Sequence, residues 1–425
     1  MGEKLIVPIL RFKEFSAEWE EKELNKITKI YDGTHSTPKY VEKGIPFYSV
    51  EHITANQFKH TKYISEEVFK KENQRVKLER NDILMTRIGD IGTSRLLDWD
   101  VKASFYVTLA LIKHNKEFNS SFLNQSIKSN NIQKQLHSKT LHVAFPKKIN
   151  LGEIGQCKVF LPSKDEQEKI ASFLSSIDKK IEQLSKKDEL LHSYKKGVIQ
   201  KIFSQEIRFS PKGTSSQAQG EKDGSVYPDW EEKKLGDIID VIDGDRGINY
   251  PNGVDFTKNG FCLFLNAKNV TKKGFKFEEK QFITEDKDNL LSKGKLKRFD
   301  IVLTTRGTVG QFAFYDDNIQ FNNIRINSGM VILRNKNEQI FTNYLYKIFN
   351  SYFFKKQIDK VAFGSAQPQL TVKEIKKFRI LIPQLEEQTK IANFLSSIDT
   401  KISQNKKALE ETKKFKKALL QQMFI

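Results

Sequence analysis

Apolar residues recur at alternating four- and three-residue spacing in two long stretches of this chain. The first carries Ile170, Leu174, Ile177, Ile181, Leu184, Leu191, Val198 and Ile202, and polar Asp188 and Lys195 interrupt it. The second carries Ile391, Leu395, Ile398, Ile402, Leu409, Leu419 and Met423, with Asn405, Thr412 and Lys416 on the same seam. This spacing puts one narrow stripe on a helix, as coiled-coil pairing requires. Ser163, after Pro162, can cap the first helix, and Glu166 completes a capping box. At about 1.5 Å per residue, each helix reaches roughly 60 Å. Pairing the two helices antiparallel buries both stripes, with the polar positions setting register; the competing arrangement lays each helix on its own domain. Their Lys and Glu faces are either solvated or a docking surface for another protein.

The rest of the chain alternates short apolar runs with turn residues, as mixed α/β modules do. Strands are predicted at 43–50, 82–86 and 103–113, and helices at 119–138 and 339–360. Leu151–Ile154 and Leu370–Ile375 lead into final strands ending at Leu161-Pro162 and Ile382-Pro383.

These elements occur twice. Ile170-Ala-Ser-Phe-Leu-Ser-Ser-Ile-Asp178 returns as Ile391-Ala-Asn-Phe-Leu-Ser-Ser-Ile-Asp399, 221 positions later. Trp19-Glu-Glu-Lys-Glu-Leu returns at Trp230, Leu78–Thr86 at Leu296–Thr304, and Leu10-Arg-Phe12 at Ile207-Arg-Phe209. The displacement drifts, as small loop insertions require, and it is far too long for a solenoid period. The expected architecture is α+β: two similar mixed α/β domains separated by two long antiparallel helices in a coiled coil, with pseudo-twofold internal symmetry. The boundaries read as a first domain 1–162, a helix 163–204, a linker 205–226, a second domain 227–383 and a closing helix 384–425. The segment Lys212–Gly220 has linker composition.

The formal charge of +19 over 425 residues favours a polyanionic partner, since Lys and Arg gain counterion-release entropy on phosphates. Cys157 and Cys262 occupy inequivalent places in the two halves, which argues against a disulfide framework and for a reducing cytoplasm. Neither a membrane-spanning run nor a signal peptide is apparent.

Two Gly-rich turns stand out, Thr86-Arg-Ile-Gly-Asp-Ile-Gly92 and Thr304-Thr-Arg-Gly-Thr-Val-Gly310. Such turns approach a nucleic-acid backbone closely, and a raised Arg can reach guanine or phosphate; equally, the glycines can simply supply positive φ. The loops 32–40 and 243–250 sit at equivalent places yet differ in sequence, as do 145–148 and 364–368. Candidate DNA contacts are Thr34, His35, Lys39, Arg87, Arg95, Tyr106, Lys147 and Lys148 in the first half. In the second they are Arg246, Asn249, Tyr250, Arg306, Gln311, Asn323, Arg325, Ser365 and Gln367. No catalytic residue is assigned. Neither a methyltransferase motif nor a nucleotide loop is recognisable, and the histidines lack zinc spacing, so no metal site is expected. Pro228-Asp229-Trp-Glu231-Glu-Lys233 reads as a turn and Trp anchor, not as a nuclease centre.

A module followed by a Pro-bounded helix with Glu-Gln-x-Lys-Ile-Ala-x-Phe-Leu-Ser-Ser-Ile-Asp, then the same again, resembles the specificity subunit of type I restriction-modification systems. The resemblance spans essentially the whole chain; its carriers are Glu166–Asp178, Glu387–Asp399, Trp19, Trp230 and Asp300–Gly310. Gly364–Pro368 fits the family loop, whereas His142-Val-Ala-Phe-Pro146 departs from it. The resemblance implies two target recognition domains reading the halves of an asymmetric, gapped double-stranded DNA sequence, without catalysis by this chain. It implies that the helices space the domains and dock two methyltransferase subunits, with restriction-translocase subunits able to join. Cofactors then belong to the partners: S-adenosylmethionine to the methyltransferase, ATP and Mg to the translocase. Two other readings are the DNA-reading half of a differently wired methyltransferase-nuclease and a basic coiled-coil scaffold.

Overall fold

The computed structural model describes residues 7–211, 227–362 and 368–425. The two amphipathic stretches form helices α1 (Lys164–Phe203) and α2 (Leu385–Gln422). The chain divides into two compact units, residues 1–187 with 405–425, and residues 188–404. Each unit thus holds one globular module, one part of α1 and one part of α2, whereas the sequence reading set the helices apart as segments of their own.

The first module is built on two four-stranded sheets. One has the order Ile30–Asp32, Leu109–Ile112, Ile83–Thr86, Ser94–Leu96, all antiparallel. Its two central strands are buried at every position, so they read as continuous apolar runs with no alternation. The other has the order Tyr40–Val41, Lys62–Ile64, Ile45–Tyr48, Ser104–Phe105, its last pair parallel. Glu20–Glu23 pairs with Lys158–Leu161 beside the start of α1. The second module follows a similar plan, with a three-stranded sheet Phe282–Ile283, Cys262–Phe264, Ile324–Arg325 and a short hairpin in place of the second four-stranded sheet. Its main sheet runs Ile239–Asp243, Met330–Asn335, Ile301–Thr304, Phe312–Phe314, and Glu231–Lys234 pairs with Arg379–Ile382.

Three expectations need correction. The strand at 103–113 is two strands in different sheets, because the chain turns at Tyr106, whose carbonyl accepts from Leu109 N. The helix at 119–138 is two helices, Ser120–Ile127 and Asn130–Ser138; the Ser129 hydroxyl caps the second and ends continuity. Ser351 does the same between Thr342–Phe349 and Tyr352–Ala362.

The repeated Glu explains how module and helix are joined. In the first unit the buried Glu166 carboxylate accepts Arg11 Nε at 2.8 Å, Arg11 Nη2 at 2.7 Å and Trp19 Nε1 at 3.3 Å. In the second, Glu387 accepts Arg208 Nε at 3.2 Å, Arg208 Nη2 at 2.8 Å and Trp230 Nε1 at 3.0 Å. The neighbouring glutamines tie the helix to the module: Gln167 Oε1 accepts Asn119 N, and Gln388 Oε1 accepts Phe341 N. The Leu10-Arg-Phe12 and Ile207-Arg-Phe209 echoes are straps, with Phe12 edge-on to Phe173 and Phe209 edge-on to Phe394. The front of the expected linker is therefore packed structure, with Phe209 buried; the remainder, 212–226, lies outside the described residues.

Both arrangements offered for the helices are realised. Ile170, Leu174 and Ile177 share the first module's core with Trp19, Phe122 and Leu419, while Ile391, Leu395 and Ile398 lie in the second module's core. Leu184 is buried, and Ile181, Leu191, Ile402 and Leu409 are half-buried, as befits a seam covered on one side only. Within the first unit Lys416 Nζ meets Asp178 Oδ1 at 2.5 Å, and Asn405 Nδ2 donates to Leu184 O at 2.9 Å. Ascending α1 here descends α2, so the parts run antiparallel. Within the second unit Lys195 reaches Asp399 at 2.5 Å, and Ile202 and Phe203 pack in one core with Ile391 and Leu395. Burial pushes the Asp178 carboxyl up, but the Lys416 ammonium and hydrogen bonds from Lys416 and Gln125 outweigh it, leaving it below the ordinary range. Asp399 is depressed in the same way by Lys195 and Lys347.

Replacing Glu387 by Ala strands a half-buried guanidinium and a buried indole N–H, so denaturant unfolding should show the second unit weakened by about 2–4 kcal/mol; Glu387→Gln should cost less. Because Asp178 and Asp399 have depressed folded-state pKa values, their contribution is full above an unfolded pKa of about 3.9 and is lost as pH falls through the folded value. Asp178→Asn with Asp399→Asn should therefore flatten the loss of stability below about pH 4 in a titration of unfolding free energy. Each should cost only about 1 kcal/mol at neutral pH, since both carboxylates are more than a third exposed.

Candidate nucleic-acid interface

The Gly-rich turns are built alike. Thr86 closes the first: its carbonyl accepts Gly92 N at 3.0 Å and its hydroxyl accepts Thr93 N at 3.0 Å while donating to Asp90 at 2.9 Å. Thr304 closes the second, accepting Gly310 N at 2.9 Å and Gln311 N at 3.0 Å. Positive φ at Gly89, Gly92, Gly307 and Gly310 makes these turns possible, and a Cβ at Gly92 would come within 2.8 Å of the Gln133 side chain.

Their arginines differ in role. Arg87 points inward, donating to Val107 O at 2.8 Å and Ile149 O at 3.2 Å, 3.7 Å from Asp32. Burial lowers its pKa, against the pull of Asp32. Arg306 is exposed and pairs with no carboxylate among the described residues. Arg87 is therefore structural, and Arg306 is free to meet a ligand. The cause is phase. Arg87 immediately follows Thr86, whereas Arg306 is two places beyond the equivalent Thr304, with buried Thr305 in the inward position. Extended backbone alternates sides, so a one-residue shift exchanges inside for outside.

Other candidates separate in the same manner. Asp32 holds His35 at 2.9 Å and is also paired with Arg75. Burial pushes its carboxyl up, but these partners, Arg75 first, bring it below the usual range. Thr34 is buried and hydrogen-bonded to Glu72, so it supports its loop; His35 and Lys39 are exposed. Tyr106, half-buried, meets the Thr37 hydroxyl at 3.1 Å. Arg95 is half-buried, its Nε without a partner among the described residues, and its pKa is lowered by burial. Lys147 and Lys148 are exposed.

In the second unit the loop 243–250 is pinned by Asp245, which accepts backbone N–H groups of Gly247, Ser292 and Lys293. Those bonds, Gly247 first, hold its pKa at about 2. The loop presents Arg246 and Asn249 to solvent, with Arg246 3.2 Å from Asp243. Tyr250 accepts from Ser328 N and packs edge-on to Phe264, a supporting role. Arg325 is buried against Asp288, Lys293 O and Leu291 O, which removes it from any surface. Gln311 and Asn323 are half-buried, and Ser365 and Gln367 lie outside the described residues.

The exposed set is thus His35, Lys39, Lys147 and Lys148 in one unit, and Arg246, Asn249 and Arg306 in the other. Cations dominate it, with the single amide of Asn249, as suits phosphate and base-edge contacts. The reading of residues overlooked two apolar side chains, Val143 and Phe145, that stand fully exposed beside Lys147. No periodicity flags them, although Val143-Ala-Phe145 recurs as Val361-Ala-Phe363 in the second copy.

The model of the type I restriction modification DNA specificity domain matches residues 16–192 and 227–414. The type I restriction enzyme MjaVIII specificity subunit of Methanocaldococcus jannaschii is 28% identical over 415 residues, covering 95% of this chain and 91% of that protein. The crystal structure of a type I restriction-modification S subunit from M. genitalium shares the fold, with a TM-score of 0.62 at 15% identity and 99% of each chain covered. A chain from a structure of complex assembly and conformational transition in a type I R-M system aligns with a TM-score of 0.55 at 16% identity, over 95% of this chain and 96% of that one. With two copies of the domain, each on the frame described above, the chain belongs to the type I restriction-modification DNA specificity family.

Proposed function

We propose that this chain is the non-catalytic, sequence-reading subunit of a type I restriction-modification complex. Each unit reads one half of an asymmetric, gapped target in double-stranded DNA. The observation that carries this is a duplicated frame whose clamps and turns coincide while its exposed polar side chains differ. One scaffold with two reading surfaces is what an asymmetric target demands. A net charge of +19 supplies the phosphate attraction. The outer faces of α1 and α2 dock two methyltransferase subunits, which bring S-adenosylmethionine, and translocase subunits bring ATP and Mg. The complex works in the cytoplasm; among the described residues no helix is long and apolar enough to cross a membrane.

Mapping methylated adenines in a host with and without this gene tests the proposal: one bipartite sequence should lose methylation when the gene is removed. Arg306→Ala should weaken binding or relax the choice of base in only one half of that sequence, seen by binding to variant duplexes. Removing a matched heptad from both α1 and α2 shortens each by about 10 Å, so the gap between half-sites should contract by roughly three base pairs. An unchanged gap in the methylation map would show that the helices do not measure it.

A further inference from the structure

Among the described residues, the most exposed large apolar side chains are Phe145, Ile248 and Val143, at 104%, 101% and 98% of full accessibility. Two of the three stand on one loop, 141–148. Its base is fixed: Leu141 N donates to Lys148 O at 2.8 Å, and Lys148 also bridges to Ile88. Gly89 N donates to Lys147 O at 2.8 Å, so the loop is fastened to the Gly-rich turn of the same module. His142 is held against His137, ring to ring at 4.5 Å, and bonds its carbonyl at 2.9 Å. The tip alone projects. Lys147 and Lys148 flank it, exposed and without a carboxylate partner among the described residues.

An aromatic ring held in water by a rigid base, with two free ammonium groups beside it, fits one occupant. Phosphates take the lysines, and a base step takes the ring, because every base offers a π-face at the depth an apolar wedge reaches. We infer that Phe145 is a wedge that enters the duplex at the half-site of the first module and stacks on a base it has unstacked. The inference rests on the DNA-reading assignment and goes beyond it. In the second copy Val361-Ala-Phe363 precedes Gly364-Ser-Ala-Gln-Pro368, as Val143-Ala-Phe145 precedes Pro146 in the first.

The test uses the full chain with its methyltransferase subunits and duplexes of the mapped target. Each duplex carries 2-aminopurine at a different position of the first module's half-site. The wild type should raise fluorescence at one step. Phe145→Ala should abolish that rise and weaken binding about tenfold or more, while Phe145→Trp keeps both. Val254→Ala, which trims another exposed apolar residue, should change neither, and an unaltered melting temperature should show that Phe145→Ala is folded. Sequence-dependent binding with unstacking indifferent to Phe145→Ala overturns the wedge alone; a wild type with no sequence-dependent binding overturns the reading assignment as well. A photo-crosslinking amino acid replacing Phe145 should attach to a DNA strand, and attachment to a methyltransferase subunit instead overturns the inference.

Discussion

Everything in this fold hangs on a carboxylate that cannot stay in the protein interior unless it is paired. Glu166 and Glu387 are almost wholly buried in the first turns of their helices. An isolated carboxylate there would cost several kcal/mol, so each needs the bidentate guanidinium and indole N–H that surround it. Those donors come from a strap and a tryptophan well before the helix in sequence. Satisfying one charge therefore draws the strap, the Trp-bearing strand and the helix start to a single point. The helix N-terminus adds its own attraction for negative charge, which favours Glu at this position over an apolar residue. With that point fixed, the strand pairs Glu20–Glu23 with Lys158–Leu161 and Glu231–Lys234 with Arg379–Ile382 close each module against its helix.

A second polar constraint sits further along the helices. Asp178 accepts from Gln125 of the module and Lys416 of α2; Asp399 accepts from Lys347 of its module and Lys195 of α1. An apolar stripe alone tolerates slippage by a heptad, but a carboxylate answered by one lysine does not. The buried Asn405 amide on the Leu184 carbonyl adds a directional bond to the same register. Stability here comes mostly from the apolar cores, and specificity of pairing from these few polar contacts.

The duplication, the long helices and the antiparallel pairing were legible in the sequence because they are written locally, as literal repetition and as four-three periodicity. The clamp was visible only in pieces. Leu10-Arg-Phe12, Trp19 and Glu166 each had an echo, yet a contact spanning 147 or 155 residues leaves no periodic trace. Short strands were the weakest reading. Ala103–Lys113 looks like one run, and only the turn at Tyr106 splits it between two sheets. Candidate contacts suffered most at Arg87, Thr34 and Arg325, which composition marks as DNA-binding and burial marks as scaffold. Aligning the turns would have warned of the first, since Arg87 and Arg306 differ by one place in phase against the threonines that close them.

Those buried residues explain how the reading surfaces can diverge while the frame stays constant. Arg87 ties its turn to the carbonyls of Val107 and Ile149, and Arg325 ties the loop after Asp288 to three carbonyls and a carboxylate. Part of the hydrogen-bonding demand of these loops is thus met from beneath by buried arginines. Side chains on the outer side of the same loops carry less of that duty, His35 meeting Asp32 and Arg246 meeting Asp243, and can be exchanged at lower cost to stability. A surface freed in this way can change its target by substitution at a few positions, and the difference between His35, Lys147 and Lys148 on one copy and Arg246, Asn249 and Arg306 on the other is the trace of that freedom.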